Sequence, residues 1–314
     1  NNVGLFGSTG SSGRISNVHL ENVSVDGSND VGALVGHNQG TIAGSSATGN
    51  VTGRNRVGGL IGQLGSATVS NSYADVTVDG NKWVGGFVGK MTTEGGEITG
   101  SFARGNVSGS NTVGGFAGQA GDWVDLEDLV FGRIIPPDKV DSPKCERQDE
   151  IYRAERLIGG QVEISNSYAS GDVTGGSGFA AKAGEATISN SFAAGETSTG
   201  SFISKRGYNT RNTGFGNPCP RVNIGTGLPI YSGNNNYASA DQVTGDNTAD
   251  TGFDFENTWK IVTADDPRTD VDRVILRGVD ENAQFDSAER LEIDDTDLDG
   301  VVAGTTNTIE ITMF

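Results

Sequence analysis

Apolar positions along this chain recur in short, evenly spaced blocks rather than in helical stripes. V-G-A-L-V-G begins at Val31, V-G-G-L-I-G at Val57, V-G-G-F-V-G at Val84 and V-G-G-F-A-G at Val113, with a shorter V-G-L-F-G at Val3. Between them lie cassettes in which apolar and polar residues alternate: I-S-N-V-H-L-E-N-V-S-V-D-G from Ile15, V-S-N-S-Y-A-D-V-T-V-D-G from Val69, I-S-N-S-Y-A-S-G-D-V-T-G from Ile164 and I-S-N-S-F-A-A-G-E-T-S-T-G from Ile188. A unit of about 27 residues cannot bury an apolar face alone, so successive copies must stack. Alternation with period two is the signature of a strand. Read as one strand, the third unit sends Val69, Asn71 and Tyr73 one way and Ser70 and Ser72 the other. Glycine, 49 of 314 residues, collects where the units turn, and a helix interior would lose about 1 kcal/mol at each. The pattern predicts an all-β chain: a right-handed parallel β-solenoid with two or three short strands per coil.

Stacking sets equivalent residues about 4.8 Å apart in columns. One column reads His19, Ser46, Tyr73, Phe102, Tyr168, Phe192 and Tyr237, and is expected to be a core ladder. Asn17, Asn71, Asn166 and Asn190 precede it by two residues, where amides can hydrogen-bond from coil to coil, with Gly44 and Gly100 interrupting them. Val23, Val51, Val107 and Val173 are expected to face inward, with Thr52 and Ser108 facing water.

Two insertions, near residues 122–157 and 205–232, interrupt the period, and the first contains a short helical pattern around Glu150 to Leu157. Both leave the same corner of the coil, either as a binding face or as a clamp shielding the sheet. Cys145 and Cys219, the only cysteines, fall one in each. An intramolecular disulfide between them would restrict the unfolded chain by about 4 kcal/mol in the chain-entropy account; free thiols and intermolecular bridges are the other readings.

Charge divides the chain. Residues 1–240 carry 21 acidic and 17 basic residues, and residues 241–314 carry 19 and 5. Such a balance disfavours nucleic acid and anionic membranes as partners. Asp outnumbers Glu 25 to 15 and Arg outnumbers Lys 15 to 7, which suits a high-salt habitat where screening removes self-repulsion. The organisation read from these patterns is a solenoid over 1–262, an acidic linker over 263–289, and at 290–314 the first strands of an immunoglobulin-like β-sandwich or strands exchanged with another chain. Asp295, Asp297 and Asp299 precede Gly300 in D-x-D-x-D-G, a spacing that brings carboxylates around Ca²⁺. Thr306 stands where a twelfth-position acid is expected, so a solvated acidic segment is the competing reading. No apolar run approaches the span of about 20 residues that crosses a bilayer. Asn1 opens directly into a repeat, as in a piece of something longer.

Catalytic patterns are sparse. His19 and His37 form no metal-protease motif, and neither cysteine has a suitable histidine pattern. Asp75, Asp79 and Asp122 are the carboxylates that a β-helix glycan enzyme would need to bring together, but Asp75 and Asp79 read as exposed turn residues. G-S-T-G-S-S-G from Gly7 is a flexible corner, since no G-K-S/T follows. Sequons at Asn22, Asn50 and Asn106 each stand just before an expected inward valine, so glycans there would project as one stripe.

The joint pattern V-G-G-L/F-x-G followed by I-x-N-S-Y/F-A resembles the GLUG-motif repeats of bacterial and archaeal cell-surface proteins, over roughly residues 2 to 262. Gln242 to Val262 resembles the segment that often closes such arrays. Gly176 replaces the leading valine of one unit, and the next begins degenerately around Thr199. The resemblance implies secretion, a non-catalytic structural or adhesive role as a stalk or filament segment, and a haloarchaeal origin. Expected partners are further copies, other surface proteins, glycans or a host receptor. A viral fibre and a carbohydrate-active β-helix enzyme are the alternatives.

Overall fold

The computed structural model describes residues 2–92, 95–121, 162–184, 186–198, 202–206 and 231–237, and near the C-terminus 253–263, 265, 266, 268 and 273–285. The bodies of both insertions, Cys145, Cys219, Asp122, the side chain of Tyr237 and everything from 286 onward, including Asp295, Asp297 and Asp299, lie outside them.

The chain forms a parallel β-solenoid. Seven strands make one sheet in the order Phe6–Thr9, Val35–Asn38, Ile61–Leu64, Val88–Met91, Ala117–Ala120, Ala180–Ala183 and Ile203–Arg206. The rest of each coil forms a second, larger sheet, in which Val51, Val78, Val107 and Val173 are in register. The only antiparallel pair among the described residues joins Trp259–Val262 to Arg273–Leu276. Both insertions leave after a strand of the seven-stranded sheet and return to the next strand of the larger one. The lattice continues across the first unshifted, with Ala117 opposite Ala180 and Ile98 opposite Ile164.

The V-G-G-F cassette builds the interior. Leu34, Leu60, Phe87, Phe116, Phe179 and Phe202 line up inside the coils, and the rings from Phe87 to Phe202 stack at 4.7 to 4.9 Å. Each such side chain contributes about 1.5–3 kcal/mol by burial. The motif's closing glycine is a packing requirement. A Cβ at Gly89 would lie 2.5 Å from the Arg56 carbonyl carbon, because the corner of the adjacent coil presses on it. In the first coil Leu5 and Phe6 extend the columns of Leu34 and Val35 and are exposed.

The I-x-N-S-Y/F-A cassette behaves differently from a single strand. Asn17, Asn71, Asn166 and Asn190 hold φ between 48° and 54°, a left-handed corner that Asn tolerates better than most residues. Gly44 and Gly100, with φ of 56° and 57°, meet the same requirement and so continue the column rather than interrupt it. The corner reverses the alternation. Val69 and Ser72 are buried, while Asn71 is exposed and Tyr73 is turned to the outside. The buried serines carry a relay between coils. The Ser45 amide donates to Ser72 Oγ at 3.1 Å and the Ser72 amide to Ser101 Oγ at 3.3 Å, while each Oγ donates to the carbonyl two residues earlier.

A bulge adds a further correction. Register shifts between Leu20 and Val23, so Val25 rather than Val23 aligns with Val51. Asn22, φ 52°, sits in that bulge.

Candidate functional site: an outward ladder under a C-terminal clasp

The expected core ladder lies on the outside of the solenoid. His19, Ser46, Tyr73, Phe102, Tyr168 and Phe192 are in register, and the four rings stack at 4.8 to 5.0 Å within 6° of parallel. They belong to an apolar cluster separate from the interior one. The ladder's early rungs are polar and linked: His19 Nδ1 lies 2.8 Å from Ser46 Oγ. Burial pushes the Tyr73 hydroxyl's pKa up, against a hydrogen bond with Ser46 that lowers it.

What covers the ladder is the segment read from composition as the end of the repeats and an acidic linker. The hairpin Trp259–Val262/Arg273–Leu276, with Phe253 before it and Val279 after it, packs on Phe102, Tyr168 and Phe192. Trp259 is fully buried, stacked 4.9 Å from Phe253 and tilted 5.6 Å from Phe192. Asp254, Glu256 and Asp280 of this segment are exposed, which is why composition alone suggests a solvated segment. An alternation of apolar residues from Phe253 to Val279 was the available sequence signal.

Polar side chains fasten the clasp at its edge. Arg104 Nη1 donates to the carbonyls of Ala283, at 2.8 Å, and Phe285, while Nη2 lies 3.6 Å from Asp75. Gln284 is buried: its Oε1 accepts from Tyr168 Oη at 3.1 Å and from the Leu276 amide at 2.7 Å, and its Nε2 donates to the Leu276 carbonyl at 2.9 Å. Trp259 Nε1 is buried without an acceptor. Farther out, the Arg268 guanidinium beside Asp266 lowers that carboxyl's pKa to about 2. Arg268 also lies over the Phe285 ring, 4.4 Å from its centroid.

The remaining sequence-derived sites are dispersed. Asn50 and Asn106 are exposed in one outward column, separated by Thr77, whereas Asn22 falls in the bulge outside it. Asp75 faces Arg104, and Asp79 accepts from Ser108 Oγ at 2.8 Å. His37 is half-buried on the seven-stranded sheet. Among the described residues, no three His, Cys, Asp or Glu side chains converge to hold a metal ion, and no helix is long and apolar enough to cross a membrane.

The GLUG motif matches residues 27–52 and 53–79, two consecutive coils of the stack. Over 60 residues the chain is 55% identical to Halomucin of Haloquadratum walsbyi, a stretch covering 19% of this chain and 1% of that protein. No solved structure matches. Matched motif and coil register coincide, so two consecutive coils of this parallel β-solenoid are GLUG-motif repeats.

Proposed function

We propose that the chain is a structural module of the cell exterior, a stiff solenoid segment of a stalk or filament that carries decorations and performs no catalysis. The observation that carries this reading is the continuity of the fold. Inward and outward ladders run through the coils on both sides of the first insertion, so bending any coil would break stacked rings and the parallel ladder together. The Halomucin stretch supports placement at a cell surface in a saline habitat, and the acidic surface suits such a medium. Exposed Asn22, Asn50 and Asn106 are proposed glycan sites. A Cys145–Cys219 bond would tie the two insertions together, and Asp295, Asp297 and Asp299 would take Ca²⁺. Partners on this reading are further copies or other surface proteins rather than nucleic acid or the bilayer. Antibody labelling of intact cells with imaging of the native assembly tests it. Surface-exposed elongated particles are expected, and labelling only after lysis, or turnover of a surface polysaccharide by the purified chain, would overturn it.

A further inference from the structure

The residues that turn the coil just ahead of the V-G motif, Asp30, Arg56, Trp83 and Thr112, all hold positive φ, from 50° to 60°. Backbone sterics favour Gly or Asn in that conformation, so the side chains there answer to something besides the turn. Asp30 and Arg56 account for each other, since the buried Asp30 carboxylate takes both Nε and Nη2 of Arg56 in a fork. Trp83 has no such explanation. Its half-buried indole has Lys82 Nζ 3.9 Å and Lys90 Nζ 5.5 Å from the ring centroid. Lys82 comes from the same strand and Lys90 from the seven-stranded sheet, so two faces of the solenoid bring cations to one aromatic ring.

The surroundings extend the charge. Lys182 stands two rungs from Lys90 in the same column, with Gln119 between them. The Arg54 carbonyl accepts from the Lys82 amide, which places Arg54 one coil away. Among the described residues of 1–198 the basic ones are Arg14, Arg54, Arg56, Lys82, Lys90, Arg104 and Lys182, and five of these seven are at this corner. Asp30 at this corner is held by Arg56, and Asp79 accepts from Ser108 Oγ. In a chain of net charge −18, this is a local concentration of the minority sign beside an aromatic platform.

We infer that the Trp83 corner is a binding site for an anionic polysaccharide of the polyuronate type, an activity beyond the structural role proposed above. The indole offers a rigid amphipathic surface for the C–H face of a sugar ring at small entropic cost. The ammonium groups, held near the ring by its quadrupole, take the sugar carboxylate. An acidic peptide lacks the flat apolar face that the indole would cover. Nucleic acid, with its dense charge, is repelled by the acidic remainder of the surface.

Calorimetric titration of the full chain with alginate oligosaccharides, cello-oligosaccharides and poly-L-glutamate, in low and in molar salt, is the test. Alginate should bind tightest, and part of its affinity should survive molar salt, where stacking persists and Coulomb attraction is screened. Trp83→Asn should weaken alginate binding about tenfold while leaving the melting temperature equal or higher, because Asn suits the positive φ. Lys82→Gln with Lys90→Gln should remove the salt-sensitive part of the affinity, and Thr112→Asn should change nothing. Absence of alginate binding, equal binding of either other probe, or unchanged binding by Trp83→Asn would overturn the site. None of those results touches the structural reading, which rests on the stacked ladders.

Discussion

Replacing Trp259 with alanine tests the clasp with a magnitude that follows from its packing. The indole is fully buried between Phe253 and the outward ladder, and truncating such a side chain costs about 3–5 kcal/mol. The Nε1 hydrogen is also buried without an acceptor, a burden of about 1–3 kcal/mol that the substitution removes. The difference leaves a net cost of about 2 kcal/mol, roughly a thirtyfold rise in opening of the clasp. Trp259→Phe keeps the aromatic contact and also removes the unpaired hydrogen, so it should fall within about 1 kcal/mol of the parent. Native-state hydrogen exchange is the assay, because it separates local opening from global unfolding. Peptides from 253–285 should exchange faster in Trp259→Ala, as should the strands bearing Phe102, Tyr168 and Phe192, while the interior coil around Phe87 and Phe116 stays protected. Uniform acceleration throughout the chain would refute the reasoning, as would a Trp259→Phe variant as open as the alanine one.

Three further outcomes follow from the same geometry. Asn71→Gly should be close to neutral and Asn71→Val should lower stability by about 1–2 kcal/mol, because only the β-branched residue resists the left-handed corner; equal melting temperatures would deny that corner. Val107→Asp places an unpaired carboxylate inside a fully packed coil and should cost several kcal/mol, about 3 or more; a melting point within a degree of the parent would show the register to be wrong. Asp266 has a folded pKa of about 2 against an ordinary 3.8, so its contribution is complete above the ordinary value and lost as pH falls through the folded one. Near-UV circular dichroism should therefore report loosening of the clasp edge between roughly pH 4 and pH 2, and Asp266→Asn should remove that step.

The coil period, the glycine corners and the inward position of Val51, Val107 and Val173 were legible because they repeat with the lattice itself. Which way the N-S-Y/F-A residues face was not. Period-two alternation assumes an unbroken strand, and Asn71 breaks it by adopting positive φ, which sends Ser72 inward and Tyr73 outward. Gly44 and Gly100 held the clue, since the residue type shared by Asn and Gly is one that tolerates the left-handed region. Val23 packs against the interior as expected, but the bulge at Asn22, a local event, sets Val25 rather than Val23 opposite Val51. The clasp was hidden for a different reason: its contacts to the ladder join residues far apart in sequence, as in Tyr168 to Gln284, 116 positions apart, and no local pattern records which surface a later hairpin will cover. Trp83 likewise stands out only once its φ and the approach of Lys90 are known.

Register between coils is the claim on which everything else stands, and engineered cross-links read it directly. Thr52 and Asp79 are opposite one another on adjacent coils and face outward, at the parallel-strand separation that a disulfide can bridge. In a background with Cys145→Ser and Cys219→Ser, the pair Thr52→Cys and Asp79→Cys should oxidise quantitatively under mild conditions without lowering the melting temperature. The pair Thr52→Cys and Thr77→Cys, offset by two residues, should remain reduced. Equal yields for the two pairs, or a cross-link confined to the offset pair, would contradict the solenoid as described.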